Sequence, residues 1–197
     1  MNFFMPTRVY DESDCIRRHA EELASLGRKA LIVTGKRSAL RCGALADLQT
    51  ALTAQGACWC VFSEIEENPS VETVLRGAAF GREEKADFVI GVGGGSPMDA
   101  AKAIAFLLCL EEPTADALYD RTLPGTHLPV AAVPTTCGTG SEVTGVSVLT
   151  VHEKGTKLSI PFRIFPNLAL LDGRYLASIP RPVLVSTAVD ALAHLME

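Results

Sequence analysis

The chain has 197 residues, of which 48% are hydrophobic and 21% charged, with a net charge of -5 and a mean hydropathy of +0.22. Such a composition excludes a disordered chain and supplies enough apolar surface for one large domain, or for one domain and part of another. No block of like charges is present, so a nucleic-acid partner is not expected. The longest apolar run, Ala103 to Leu110, is too short to span a bilayer. The opening MNFFMPTRVYDESD lacks the basic-then-apolar order of a signal peptide. A cytoplasmic protein without a membrane partner is therefore predicted. The cysteines at 15, 42, 58, 60, 109 and 137 contain no C-x2-C pair and are read as buried and reduced.

Strand-like and helix-like segments alternate along the chain. SDCIRRHAEELASLG (13–27) carries apolar residues at helical spacing and closes on glycine. ALIVTG (30–35) is a short apolar strand, and ALADLQTALTAQG (44–56) is a helix with a glycine stop. ACWCVFSEI (57–65) is a strand, followed by a helix in NPSVETVLRGAAFGREEK (68–85). ADFVIGVGGG (86–95) is a strand running into glycines, and SPMDAAKAIAFLLC (96–109) is the next helix. LPVAAVPTT (128–136) is a further strand. This order predicts the α/β class, with a Rossmann-like, mostly parallel sheet covered by helices on both faces. Beyond it, VTGVSVLTV and TKLSIP flank the charged turn HEKG and predict a β-hairpin. LALLD is a strand, and IPRPVLVSTAVDALAHLME ends the chain as a helix. A composition shift near Arg181 suggests a boundary between domains at 1–180 and 181–197.

GVGGGSPMDAAK joins a strand to a helix. Glycines let backbone N–H groups approach an anion, the helix N-terminus adds partial positive charge, and Pro97 suits the first helical position. Ser96 is placed to cap the helix or to bond a phosphate. The pattern is not G-x-G-x-x-G and does not follow the first strand, so by itself it names no ligand. Asp99, three residues after Ser96, is favoured by the helix dipole and is a candidate catalytic or nicotinamide-side carboxylate. The loop PTTCGTGSEVT (134–144), rich in hydroxyls and glycines, follows the neighbouring strand. Two such loops at the carboxyl ends of adjacent strands form the crevice where open α/β sheets bind ligands.

In order along the chain, GGGSPMDAAK, PTTCGTGSEVT, KLSI and DALAHLME together resemble the iron-containing (group III) alcohol dehydrogenases. The resemblance implies an N-terminal dinucleotide-binding domain, an all-helical domain begun by residues 181–197, and one metal in the cleft between them. It implies that Gly94, Gly95 and Ser96 hold the cofactor pyrophosphate, and that Thr135, Thr136, Thr139 and Leu176 line the cofactor cleft. Asn68 would lie near the adenosine and Lys157 beside the nicotinamide ribose. Asp190 and His194 would be the first two metal ligands, with two further histidines expected beyond Glu197. His19, His127 and His152 match no ligand position, and Cys137 stands where the family has a small residue.

The i, i+4 spacing of Asp190 and His194 puts both on one helix face, and an oxygen–nitrogen pair suits Fe(II) or Zn(II). Two ligands form half a site. At the end of ALIVTG, Gly35 stands where a carboxylate would select NAD, and Lys36, Arg37 and Ser38 follow. The absence of that carboxylate, with cations next to it, points to NADP, with NAD second. The resemblance thus implies metal-assisted hydride transfer between an alcohol and an aldehyde or ketone by a homo-oligomer, here as part of a chain. Zinc enzymes of the glycerol dehydrogenase or dehydroquinate synthase kind, and a non-catalytic dinucleotide-binding subunit, are the alternatives. Leu192 and Leu195 on the last helix are expected to lack cover.

Overall fold

The computed structural model describes residues 4–196. Six strands form one parallel sheet: β1 (Arg8–Asp11), β2 (Lys29–Gly35), β3 (Cys58–Ile65), β4 (Phe88–Gly93), β5 (Val130–Pro134) and β8 (Leu168–Leu171), in the order β1-β8-β5-β4-β2-β3. The predicted hairpin is present as β6 (Val148–Val151) antiparallel to β7 (Thr156–Ser159), outside the main sheet. The central strands β4 and β5 are buried along their whole length. That burial is why they read as unbroken apolar runs rather than as alternating ones.

Helices cover both faces. On one side α1 (Cys15–Arg18), α2 (Ala20–Ala24), α3 (Ser38–Arg41) and α4 (Ala44–Ala54) pack over Ile32, Ile90, Val133 and Leu170. On the other, α5 (Val71–Glu83) and α6 (Gly95–Leu107) pack over Leu31, Val89 and Val130. Ser70 caps α5 by accepting from the Thr73 N–H. The helix α6 lies on the sheet beside α5, and Met98, Ile104, Phe106 and Leu107 are all essentially fully buried on it. Each such side chain contributes roughly 1.5–3 kcal/mol of burial free energy. Close packing here depends on Gly91: a methyl group there would stand 2.9 Å from the Met98 Cα and 3.0 Å from the Ala101 Cβ. Gly91→Ala is therefore expected to push α6 off β4 and to cost about 1–3 kcal/mol, read as a lower urea midpoint at unchanged slope. An unchanged midpoint would contradict this packing.

Two sequence expectations need correction. The helix over 13–27 is split at His19, whose φ of -109° leaves the helical region. That ring stacks on Tyr10 at 3.5 Å between centroids and bonds Glu12 at 2.7 Å, so tertiary contacts override the helical pattern. The cysteines are all free, but Cys58, Cys109 and Cys137 are exposed. Only Cys15 and Cys60 are buried, and burial pushes their thiols up to about 11. The edge strand β1 was not anticipated: RVYD is too short to show a period. The last helix, α7 (Arg181–Met196), buries none of its residues and leaves Val189, Leu192 and Leu195 exposed.

Candidate functional site

The chain leaves β2 through α4 on one face of the sheet and leaves β4 through α6 on the other. The two strands are neighbours, so the crevice at their carboxyl ends is a topological switch point. Three segments meet there: residues 36–38 after β2, the glycine turn 94–96 after β4, and the loop from 135 after β5. The turn and the last loop are held together by the Thr135 N–H, which donates to the Gly93 carbonyl at 2.8 Å. They also leave no spare room. A methyl on Gly94 would come within 2.9 Å of the Thr136 Oγ1, and one on Gly95 within 3.0 Å of the Thr139 Cγ2.

The glycine turn borders the larger of two cavities and, at Gly94, stands close to Thr136, which lines the smaller. The larger, about 610 Å³, is lined by Gly95, Ser96, Asn68, Thr139, Lys157, Asp190 and His194, among others. Residues from five separated segments are thus brought together. Asn68 sits at φ 59°, a left-handed conformation that asparagine tolerates. The turn around it is held by Glu66, whose Oε1 accepts from the Ser70 N–H, the Ser70 hydroxyl and the Thr73 hydroxyl at 2.7–2.9 Å. The Asn68 N–H donates to the Ser96 Oγ at 3.1 Å, and the Lys157 Nζ donates to the Asn68 Oδ1 at 2.7 Å. Asn68 and Lys157 were expected at opposite ends of a dinucleotide; the structure joins them in one cluster, beside Ser96.

The smaller cavity, about 230 Å³, is lined by Arg37, Ser38, Arg41, Thr135, Thr136 and Tyr175, with further apolar residues. Gly35 and Lys36 do not line it. Gly35 has a structural reason of its own: a side chain there would approach the Ile65 carbonyl to 3.3 Å, where the β2–β3 register shifts. Leu176 faces a third hollow with Thr136 and Cys137.

Asp99 borders the larger cavity, but its carboxylate is occupied. Oδ1 accepts from the Ser141 hydroxyl at 2.6 Å and Oδ2 from the Val148 N–H at 2.9 Å. Lys102, one turn later, is fully buried. Its Nζ donates to the Ser141 Oγ and the Val146 carbonyl, both at 2.8 Å, and stands 3.7 Å from Asp99. Burial lowers the ammonium to about 8 against the pull of Asp99. This geometry makes the pair a tie between α6 and the 141–148 loop. Lys102 was missed, although a lone cation inside the apolar run AAKAIAFLL was a readable signal.

Asp190 and His194 stand on α7 over the larger cavity. The His194 Nδ1 lies 2.9 Å from the Asp190 carbonyl, which can only accept, so Nδ1 carries the proton and Nε2 keeps a lone pair in the neutral ring. Gly138, at φ 121°, lets the threonine-rich loop approach α7: an added methyl would lie 2.5 Å from the Thr187 carbonyl. The donor set fits a divalent metal in type but not in number. Among the described residues, no group of three or more metal-ligating side chains converges.

A parallel sheet with a glycine turn at its switch point, bordering a cavity, puts the chain in the Rossmann-like class of α/β proteins. Residues 6–173 match the family model "iron-containing alcohol dehydrogenase". The chain belongs to this family. A curated relative, an NADPH-dependent butanol dehydrogenase of Clostridium saccharobutylicum, is 34% identical over 100% of this chain and 51% of its own length. The crystal structure of an iron-containing alcohol dehydrogenase from Thermotoga maritima superposes with a TM-score of 0.94 at 43% identity, covering 100% of this chain and 54% of the other. A sulfoacetaldehyde reductase from Bifidobacterium kashiwanohense, solved in complex with NAD+, superposes at 0.87 with 31% identity, covering 100% and 52%. The chain spans about half the length of the curated relatives it matches.

Proposed function

We propose that this chain seats a nicotinamide dinucleotide and supplies half of the metal site of an oxidoreductase that interconverts a small alcohol and an aldehyde or ketone. The observation that carries this reading is the cavity that the glycine turn shares with Asp190 and His194, together with the close approach of Gly94 to Thr136 in the wall of a second cavity. A dinucleotide lying across the turn would place its pyrophosphate over Gly94, Gly95 and Ser96, where N–H groups and the α6 N-terminus face it. The nicotinamide half would then lie in the larger cavity, with Thr139 and Asn68 as its polar contacts and the Lys157 ammonium toward its ribose. Thr135, Thr136 and Leu176 would border the adenosine half. Asp99 acts in this scheme by holding the cavity wall. NADP is the favoured cofactor and NAD the second, because no carboxylate stands at Gly35.

When bound, Fe(II), or Zn(II) in its place, would supply Lewis acidity to the substrate oxygen. From this chain Asp190 and the His194 Nε2 would hold it. The remaining ligands belong to a helical unit that begins at 181–197, and the bare apolar side chains of α7 support such a cover. A homo-oligomer in the cytoplasm, where the six cysteines stay unbridged, completes the proposal. Among the described residues no helix is long and apolar enough to cross a membrane.

Calorimetric titration of the chain with NADP, NAD and Fe(II) is the direct test. One dinucleotide per chain, with NAD and NADP competing for one site, and only weak metal binding are the expected results. A folded chain that binds neither dinucleotide would end this reading. Tight one-to-one metal binding by one monomer would contradict the half-site.

A further inference from the structure

Glu66 follows β3 directly and does not line the larger cavity, yet the polar cluster on that cavity's wall depends on its side chain. One oxygen, Oε1, accepts from the Ser70 N–H, the Ser70 hydroxyl and the Thr73 hydroxyl. Arg76 in turn donates to the Thr73 Oγ1 at 3.1 Å, which leaves that hydroxyl's hydrogen to Glu66. Burial works against the charge of Glu66, but the bonds from Ser70 and Thr73 outweigh it and hold the carboxyl below its usual range. The carboxylate is therefore an acceptor throughout neutral pH. Its bonds close the turn in which Asn68 takes the left-handed conformation.

That turn joins two parts of the site. On one side the Asn68 N–H donates to the Ser96 Oγ of the glycine turn. On the other the hairpin is fastened to it: the Thr150 N–H donates to the Pro69 carbonyl at 2.8 Å, and the Thr150 hydroxyl to the Asn68 carbonyl at 3.0 Å. Lys157, on the second strand of the same hairpin, donates to the Asn68 Oδ1. The directions of these bonds fix what the cluster offers. An ammonium can only donate, so Oδ1 must face Lys157, and the Asn68 amide N–H groups are left to donate elsewhere. Ser96 accepts at its oxygen, so its own O–H is left to donate as well. Together with the remaining N–H bonds of the ammonium, they give the cavity a wall of donors. Phosphate and ribose oxygens are the matching acceptors.

We propose that Glu66 is a positioning residue: through the 66–70 turn it aims Ser96, Asn68 and Lys157, as one set of donors, at the phosphate–ribose segment of a dinucleotide. This rests on the reading that the chain seats a dinucleotide across the glycine turn. The segment addressed is common to NAD and NADP, so Glu66 governs the affinity for both alike.

Calorimetric titration of the whole chain with NAD and with NADP tests this, on the unaltered protein and on Glu66→Ala, Glu66→Gln, Thr73→Val, Lys157→Met and the double variant of Glu66→Ala with Lys157→Met. Glu66→Ala should weaken both dinucleotides by the same factor, about tenfold, the size of one lost charged hydrogen bond. One dinucleotide per chain at lower affinity shows that the variant is folded. Glu66→Gln keeps a carbonyl oxygen for the three donors and should bind much as the unaltered chain does. Thr73→Val removes one of those donors at nearly the same shape and should give a smaller loss in the same direction, whether or not Glu66→Ala folds. Among the described residues no hydrogen bond joins Glu66 to Lys157, so independent effects would multiply. Once Lys157 is replaced by methionine, Glu66→Ala should cost less than about threefold more. Undiminished binding by Glu66→Ala or by Thr73→Val would overturn the proposal. So would a loss confined to one of the two dinucleotides, a loss as large in Glu66→Gln, or losses that multiply in the double variant. In each of those cases the dinucleotide reading stands. An unaltered chain that binds neither cofactor removes both.

Discussion

Asp99→Ala is expected to destabilise the chain by about 3–5 kcal/mol, the usual cost of removing one partner from a buried ion pair. The Lys102 ammonium is completely buried and has one carboxylate within 3.7 Å. Without it the amine keeps only the Ser141 hydroxyl and the Val146 carbonyl, and the Ser141 hydroxyl and the Val148 N–H lose their acceptor. Asp99 opposes the desolvation that already lowers Lys102 to about 8, so its loss drives the amine further toward neutrality. Lys102→Met removes the desolvated charge itself and is expected to cost less than Asp99→Ala. The double variant should fall well short of the sum, because the two groups act as one unit. Urea midpoints of the three variants at pH 7 check this. Additive losses would show that the two side chains do not interact.

Arg174→Met is the second large effect, expected at about 1–3 kcal/mol, because it strips donors from the buried Asp172 carboxylate although the guanidinium itself is half exposed. Asp172 has no exposed side-chain surface and receives the Arg174 Nε at 2.9–3.0 Å, the Arg174 N–H at 3.0 Å and the Asp14 N–H at 2.8 Å. Arg174 also reaches Asp14 at 2.7 Å, which ties the start of α1 to the end of β8. The Arg174 hydrogen bonds hold the Asp172 carboxyl below the usual carboxylate range, against its burial. A carboxyl whose folded pKa is lowered adds stability that is complete above its unfolded value, about 3.9. That stability is lost as pH falls toward the folded value. In Arg174→Met this contribution shrinks at neutral pH, and burial raises the carboxyl. The acid unfolding midpoint should therefore move to higher pH than in the unaltered chain. An unmoved acid limb would show that Asp172 is held by the backbone N–H groups alone.

Strand and helix alternation was legible because each central segment is uniform in its surroundings. ALIV and FVIGVG are apolar throughout because both faces of their sheet are covered, and Ser70 and Gly155 punctuate where the backbone demands it. The helix α6 instead starts at Gly95, so Ser96 does not cap it and Pro97 is its third residue, not its first. What misled was local pattern with a distant cause. The break at His19 comes from Tyr10 and Glu12, and the exposure of Cys58 comes from its place on an edge strand. The site was legible as a list but not as a geometry. Gly94, Gly95, Ser96, Thr136 and Thr139 do converge, whereas Asn68 is bonded to Lys157 and the Asp99 carboxylate is occupied.

The sequence by itself determined the α/β class, the strand-to-helix glycine turn, the hairpin and the side-by-side placement of Asp190 and His194, because periodicity, turn chemistry and i, i+4 spacing act over a few residues. The tertiary structure alone decided the strand order, the tie of Asp99 and Lys102 to the 141–148 loop, the joining of Asn68 to Lys157, and the placement of Arg41 rather than Lys36 along the smaller cavity. Those depend on which segments, up to 89 residues apart along the chain in the case of Asn68 and Lys157, end at the same edge of the sheet, and no local pattern encodes that distance.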